Sequence, residues 1–258
     1  MFFRNFPKTT YDYLGNGVDS IIHDIFRFVK PIDHFRDELD TYQFYQISEG
    51  DRPDVVSQKL YDTPEYYWTF FVINDNLRGG LSSWPLSSEE LEKYLDDIYS
   101  GTVITTVPRY VYDTDGILRD IKNSLAGRFQ IGETVVGQQS GATGVVRSKD
   151  ATMGQLVLDN VVGNFISPEL IVGSLSEDVI ASFDVLDEVD APKYYTDANG
   201  RPVTNNLYVP LADPVNYMEI VTNREYEMDL NEQKSKIRVI KRSHILAFAE
   251  AYEDLIKR

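Results

Sequence analysis

Side chains that could do chemistry are few in this chain of 258 residues, and none are spaced for a reaction. The three histidines, His23, His34 and His244, lie far apart and lack metal-ligand spacing, so each reads as structural. There is no cysteine, which excludes thiol catalysis, thiolate metal sites and a disulfide framework, and fits a reducing compartment. The paired acids are Glu89-Glu90, Asp96-Asp97 and Glu49 with Asp51. A glycosidase needs two carboxylates converging in one cleft, whereas adjacent acids on a helix point apart, so solvation is their expected role. The segment Gly141-Ala-Thr-Gly144 is no phosphate loop, because neither Lys-Ser/Thr nor a helix follows it. No Gly-x-Ser-x-Gly elbow or His-Glu-x-x-His motif is present. The sequence therefore predicts no enzyme, no metal site and no cofactor.

The net charge is −16, from 41 acids against 25 bases, a field that repels nucleic-acid phosphates and anionic membranes. Neither nucleic acid nor membrane is an expected partner. No run approaches the ~18 apolar residues of a membrane span. The start, Met1-Phe-Phe-Arg-Asn-Phe6-Pro7, lacks the sustained apolar run of a signal peptide, so synthesis in a cytoplasm is expected. Hydrophobic residues make up 42%, enough for a sizeable core, and the 17 tyrosines suit either strands or wide contact surfaces.

The elements that would position any site centre on residues 42–76, which read as strand, turn, short helix, turn and second helix. Gly50-Asp51 supplies the first turn and Pro53 suits the first turn of the helix behind it. Val56 and Leu60 share a helix face, Asp62-Thr63-Pro64 separates the helices, and Trp68, Phe71 and Val72, with Phe70 a further candidate, give the second helix its buried side, with Asn74 at its end. Upstream, residues 1–20 are aromatic and turn-rich, and residues 18–30 read as a strand or a short helix, the 3–4 spacing of Val18, Ile21, Ile22, Ile25, Phe26 and Val29 favouring helix. Downstream, Ser87 or Ser88 followed by acids starts a helix that ends at Gly101. The β-branched run at 102–107 predicts a strand, read as the delayed partner of the one at 42–46.

Residues 127–187 carry a repeat. Phe129-x-x-Gly132-Glu133-x-Val135-x-Gly137-x-x-Ser140 recurs at one offset as Phe165-x-x-Pro168-Glu169-x-Ile171-x-Gly173-x-x-Ser176. The segment reads as a small all-β insertion, a barrel or sandwich, whose removal should leave the rest folded. Further on, Asp197-Ala-Asn199-Gly200 predicts a hairpin. The stretch from Lys234 to Arg242 is basic in an acidic chain: Ile237 and Val239 alternate with Lys236 and Arg238, and Lys241 follows. It reads as a solvated strand face paired with the protein's own acids, or as a docking strand for an acidic partner or a partner's sheet. Ile245, Phe248, Ala249, Tyr252 and Ile256 then predict a C-terminal amphipathic helix.

The Tyr-rich strand with Gly50-Asp51, a helix ending in Tyr61 and a second ending near Asn74 resembles the LysM module. Arg52 stands where that module has a hydroxyl residue and Pro53 where it has leucine, positions that line its glycan groove. The longer set is similar to the LysM-containing wedge subunit of the baseplate in contractile-tailed, T-even-like bacteriophages. The residues that carry this likeness are Phe2-Phe3-Arg-Asn-Phe6-Pro7, Tyr45 with Gly50-Asp51-x-Pro53, Tyr61-Asp-Thr-Pro64, Trp68, Asn74, Trp84-Pro85-Leu86-Ser87 and Asn231-Glu232-x-Lys234. They cover roughly 1–126 and 188–250.

The residue reading and the resemblance together predict an α+β protein in four parts: an N-terminal aromatic arm and short helix (1–41), a LysM-like βαα(α)β module with an extra helix (42–126), an inserted all-β domain (127–187) that is not part of the family pattern, and a C-terminal hairpin, basic strand and helix (188–258). The resemblance implies a structural role without activity, clamping wedge core subunits and a sheath-initiator-like inner baseplate protein and joining six wedges around the hub. The protein would then sit in the virion's tail baseplate after assembly in the host cytoplasm. The implied partner-binding residues are Tyr45, Gly50, Asp51, Arg52, Asn74, Trp84, Lys236, Arg238, Lys241 and Tyr252. Two rivals are a LysM peptidoglycan-binding protein of the cell wall and an unrecognised hydrolase.

Overall fold

A computed structural model describes residues 6–24, 41–106, 110–112, 118–120, 125–196, 200–203 and 219–257. Phe2, Phe3, Ile25, Phe26, Val29, His34 and the turn residues 197–199 lie outside them, as does the turn that Asp213-Pro214 and Asn216 predict from the sequence.

The chain opens with β1 (Lys8–Tyr11), β2 (Ser20–His23) and β3 (Tyr42–Gln46), then α1 (Pro53–Tyr61), α2 (Trp68–Ile73) and α3 (Ser88–Ile98). Strands β4 (Thr102–Thr105), β5 (Tyr110–Tyr112), β6 (Leu118–Asp120), β7 (Thr134–Gly137), β8 (Thr143–Asp150), β9 (Gln155–Val162), β10 (Leu170–Gly173), β11 (Val179–Ala181) and β12 (Asp184–Asp187) follow. Then come β13 (Pro192–Thr196), β14 (Pro202–Val203), β15 (Glu219–Thr222), α4 (Asn223–Ser235), β16 (Lys236–Ile240) and α5 (Ile245–Lys257). This is a mixed α+β protein. It divides into two compact units, Met1–Glu89 with Leu230–Arg258, and Glu90–Asp229.

In the first unit, β1 and β2 form an antiparallel hairpin. Of the two alternatives over 18–30, the described residues form the strand, at Ser20–His23, and not the favoured helix. Its cause lies in the loop: Asp12 accepts the Asn16 and Gly17 N–H groups at 3.2 and 2.7 Å, and Gly15 and Gly17 adopt φ of 66° and 78°, which turns the chain back on itself.

The partner of β3 is β16, antiparallel from Lys236↔Gln46 to Ile240↔Tyr42. The expected partner, the strand at 102–105, belongs to the second unit. Local strand propensity favours the Thr102–Thr105 run but says nothing about which strand it joins. Between β3 and β16 run α1 and α2. Gly50 takes φ 75° in the turn, Pro53 opens α1, and Asp62 ends it in the left-handed region at φ 62°. The second helix is short, and 3-10 turns at Pro64–Tyr66 and Asp75–Leu77 flank it.

An aromatic cluster fills this unit. Trp68 lies 5.0 Å from Tyr252 and 6.2 Å from Phe248, and Phe70 lies 6.0 Å from Trp84. Ile237, Val239, Ile240, Ile245 and Ile256 close the core, so the expected C-terminal helix buries its apolar stripe at home. The long excursion between Glu89 and Leu230 leaves and re-enters at one place. The Asn231 side chain accepts the Leu86 N–H at 2.8 Å and donates to the Leu86 carbonyl at 2.9 Å.

In the second unit, seven antiparallel strands run in the order β11-β10-β7-β8-β9-β4-β12. Only Ser182 and Phe183 separate β11 at one edge from β12 at the other. The Ser182 N–H bonds the Glu169 carbonyl and the next N–H, of Phe183, bonds the Thr105 carbonyl, both at 2.8 Å. The sheet must therefore curl until its two ends meet, a barrel of short strands around Ile104, Phe129, Val135, Leu156, Leu158, Phe165 and Ile171. Because β4 sits between β9 and β12, the all-β segment begins well before residue 127. The hairpin expected around Gly200 is present as β13 with β14, and β15 flanks β13. Helix α4 had no apolar period to announce it.

The repeat marks a local two-fold relation inside the barrel. Its strands β7 and β10 pair with each other, with Val136 opposite Val172. Each copy's glutamate then reaches the other copy's turn. Glu133 accepts Leu175 N–H, Ser176 N–H and Ser176 Oγ at 3.1, 3.0 and 2.9 Å. Glu169 accepts Gln139 N–H, Ser140 N–H and Ser140 Oγ at 3.2, 3.1 and 3.0 Å. Each also takes an N–H from its own copy, Gln130 and Ile166 respectively. A Cβ on Gly137 would lie 2.5 Å from Glu169 Oε2, and one on Gly173 would lie 2.8 Å from Glu133 Oε2. The repeated Glu, Gly and Ser are thus one reciprocal lock, not a binding motif.

Candidate protein interface

The ten residues expected to touch partners fall into three groups, all in the first unit. Asn74, Trp84 and Tyr252 are buried and are corrected from surface contacts to core residues. Trp84 donates its indole N–H to the Asp51 carbonyl at 2.7 Å. Burial pushes the Tyr252 phenol up to about 12, against the indole of Trp68. Asn74 donates to the Phe70 and Arg238 carbonyls at 2.8 and 2.9 Å and accepts the Arg238 N–H at 2.9 Å. One amide side chain thereby ends α2 and seals the outer edge of β16. Replacing Asn74 with Ala leaves those groups buried without partners, and chemical denaturation should show a loss of roughly 2–4 kcal/mol.

The second group sits at the turn before α1. Asp51 accepts from Lys59 at 2.6 Å, Gly50 makes the turn, and Arg52 lies exposed beside Asp54 at 3.2 Å. Tyr45 is half-buried against the core. The neighbouring Glu49 does not converge with Asp51 for acid–base work. It accepts the Ser88 N–H at 2.9 Å at the start of α3, and hydrogen bonds from Ser88, side chain first, hold its carboxyl below the ordinary value. His23 Nδ1 bonds the Phe6 carbonyl at 2.9 Å. Among the described residues no group of three or more His, Asp or Glu is placed to hold a metal. No helix among them is long and apolar enough to cross a membrane.

The third group is the outward face of the β3–β16 pair. The ladder's parity follows from its end bonds, Ile47 N–H to Ser235 and Lys241 N–H to Thr41, both 2.9 Å. Odd-numbered residues of β3 therefore bond β16, and the N–H and C=O groups of Phe44 and Gln46 point the other way. Opposite, the outward groups of β16 are taken up, Arg238 by Asn74 and the Ile240 carbonyl by the Tyr61 hydroxyl at 3.0 Å. Cross-strand partners share a face, so Phe44, Gln46, Lys236 and Arg238 stand together. Phe44 is 87% exposed. Lys236 pairs with Glu232 at 3.2 Å, and the Arg238 guanidinium lies 6.0 Å from the Tyr42 ring centre. Lys241 continues the chain just past β16, at the Thr41 carbonyl.

Sequence reasoning placed Lys236 and Arg238 here but missed Phe44. No signal in the sequence marks it, because its outward position depends on the ladder's parity, which the pairing with β16 sets.

A comparison with protein-family models finds no match, and neither does a comparison with curated proteins.

Proposed function

We propose that this protein is a structural component of the tail baseplate wedge of a contractile-tailed bacteriophage. It clamps neighbouring wedge proteins and helps join six wedges around the hub, in the virion, after assembly in the host cytoplasm. The observation that carries the reading is the ordered set of residues from Phe6 to Lys234, of which Tyr45, Gly50, Asp51, Pro53, Tyr61, Trp68, Asn74, Trp84 and Asn231 all belong to one strand–helix–helix–strand unit. That order is LysM-like, with β16 as the second strand and the rest of the chain inserted before it. The exposed Phe44, with Lys236 and Arg238 beside it, supports a role in protein contacts. The partners are wedge core subunits and a sheath-initiator-like inner baseplate protein.

The same strand–helix–helix–strand order also favours a second reading, peptidoglycan binding. Against it, the groove positions carry a mostly solvent-exposed Arg52 and a buried Pro53 that opens α1. One experiment separates the two. The purified chain is mixed with the wedge core proteins of its own phage and, separately, with peptidoglycan. Stable co-elution with the wedge proteins, and no sedimentation with peptidoglycan, is the expected result. The reverse pattern would replace the wedge reading with the glycan one.

A further inference from the structure

We propose that the outer edge of β3, at Phe44 and Gln46, is a strand-addition site for an extended, carboxylate-bearing segment of another protein. The proposal rests on the reading above only insofar as the protein acts by binding proteins.

The two edges of this small sheet are treated differently. At β16, Asn74 occupies both outward groups of Arg238 and Tyr61 the Ile240 carbonyl, which breaks the ladder that a further strand would need. At β3, the outward N–H and C=O groups of Phe44 and Gln46 have no hydrogen-bond partner among the described residues. An edge of this kind is a hazard that proteins usually blunt with proline, lysine or a bulge. Strand β3, Tyr-Gln-Phe-Tyr-Gln, has none of these and pairs in unbroken register. It carries instead a phenylalanine that is 87% exposed. Extended backbone is the partner whose donors and acceptors match alternating groups along a strand.

The side chains specify the rest. Arg238 is directly across from Phe44 on the same face, and no carboxylate lies within ion-pair distance of it among the described residues. This is unusual in a chain with 41 acids and 25 bases. An added strand would lie about 10 Å from β16, two strand spacings away. An arginine and a glutamate reaching towards each other span that gap across Phe44. The incoming segment is therefore read as carrying, on the face it shares with Phe44, an apolar side chain against Phe44 and, two residues along, a carboxylate for Arg238. A second copy of this chain is the poorer occupant: it brings a further charge of −16 and another Arg238.

The test is amide hydrogen exchange on the full chain with two short synthetic peptides that have threonine at every second position, the positions between alternating valine with glutamate in one and valine with lysine in the other. The acidic peptide should slow exchange at Phe44 and Gln46, and the basic one should not. Phe44→Pro removes an N–H that the β3–β16 ladder does not use, so the Gln43 and Tyr45 amides should stay protected while peptide binding is lost. Arg238→Glu, which leaves the backbone groups in place, should weaken the acidic peptide roughly fivefold or more. If Phe44→Pro disturbs the ladder, the Arg238 variant carries the test alone. No slowing at Phe44 and Gln46, equal binding of both peptides, or unchanged affinity in Arg238→Glu overturns the proposal. No wedge protein enters this assay, so its failure leaves the proposed function standing, and failure to co-elute with wedge proteins leaves the edge site standing.

Discussion

A chain in which residues 90–229 are replaced by a short Gly-Ser linker should fold and unfold cooperatively, while one lacking only residues 127–187 should aggregate. The first cut follows the structure. Every strand and helix that fills the aromatic core of the first unit lies within residues 1–89 and 230–258. The cut ends are close to the point where Asn231 grips the Leu86 backbone through both atoms of its amide. A short linker therefore closes the gap at small entropic cost. The second cut looks natural from the repeat but divides the barrel. It removes β9 and β12 from either side of β4, stripping the ladder from Thr102 to Thr105 and exposing Val103 and Ile104, which are 1% and 0% exposed in the intact protein. An unpaired apolar strand is an aggregation site. Near-ultraviolet circular dichroism and the cooperativity of denaturation distinguish the outcomes. A well-folded product of the second cut would show that β4 is not integral to the barrel.

Removing either glutamate of the reciprocal lock should be the most damaging point change in the second unit. Glu133 and Glu169 are 1% and 3% exposed. Glu133→Ala leaves the N–H groups of Gln130, Leu175 and Ser176 without their acceptor, at a cost of about 1–3 kcal/mol for each group that water cannot reach. A total of roughly 3–6 kcal/mol is expected, and the same for Glu169→Ala. Changing both should not simply double the loss, because the first change already loosens the pairing of β7 with β10.

The pH dependence of the second unit carries the same signature. Burial pushes each carboxyl up, but hydrogen bonds outweigh it and both end below the ordinary value of 4.5: those from Ser176, Gln130 and Leu175 at Glu133, and those from Ile166, Ser140 and Gln139 at Glu169. A carboxyl lowered by folding contributes its full stability above 4.5 and loses it as pH falls through the folded value. The stability of the second unit should therefore be level above pH 4.5 and fall in acid. Glu133→Gln should start lower and fall less steeply, by up to about 1.4 kcal/mol per pH unit. An equally steep fall in that variant would show that the lock does not govern acid sensitivity.

Local devices were legible in the sequence. Gly50-Asp51 with Pro53, the start of α3 at Ser88, the stripe of Ile245, Phe248, Tyr252 and Ile256, and the hairpin around Gly200 each announce themselves within a few residues. The repeat was visible too, as a pattern of Phe, Glu, Gly and Ser at constant offset. Its meaning was not, because it lies in hydrogen bonds from one copy to the other. What escaped was pairing across distance. Thr102–Thr105 and Lys236–Ile240 are both plausible partners for β3, and nothing in either run says that one will be enclosed by β9 and β12. The polar roles were hidden for the same reason. Asn74 reads as a helix end, and only the presence of β16 beside it turns it into the seal on a sheet edge. Phe44 reads as one aromatic among many until the ladder's parity turns its backbone outward. Helix α4, Asn-Arg-Glu-Tyr-Glu-Met-Asp-Leu-Asn-Glu-Gln-Lys-Ser, has too few apolar residues to show a period.

The most direct test of the proposed wedge role is a density map of the intact tail of the phage that would carry this chain. The proposal predicts six copies in the baseplate, with the first unit seated against neighbouring wedge proteins through the surface around Phe44, Lys236 and Arg238. A baseplate in which this chain is absent, or in which it touches no wedge protein, would contradict it.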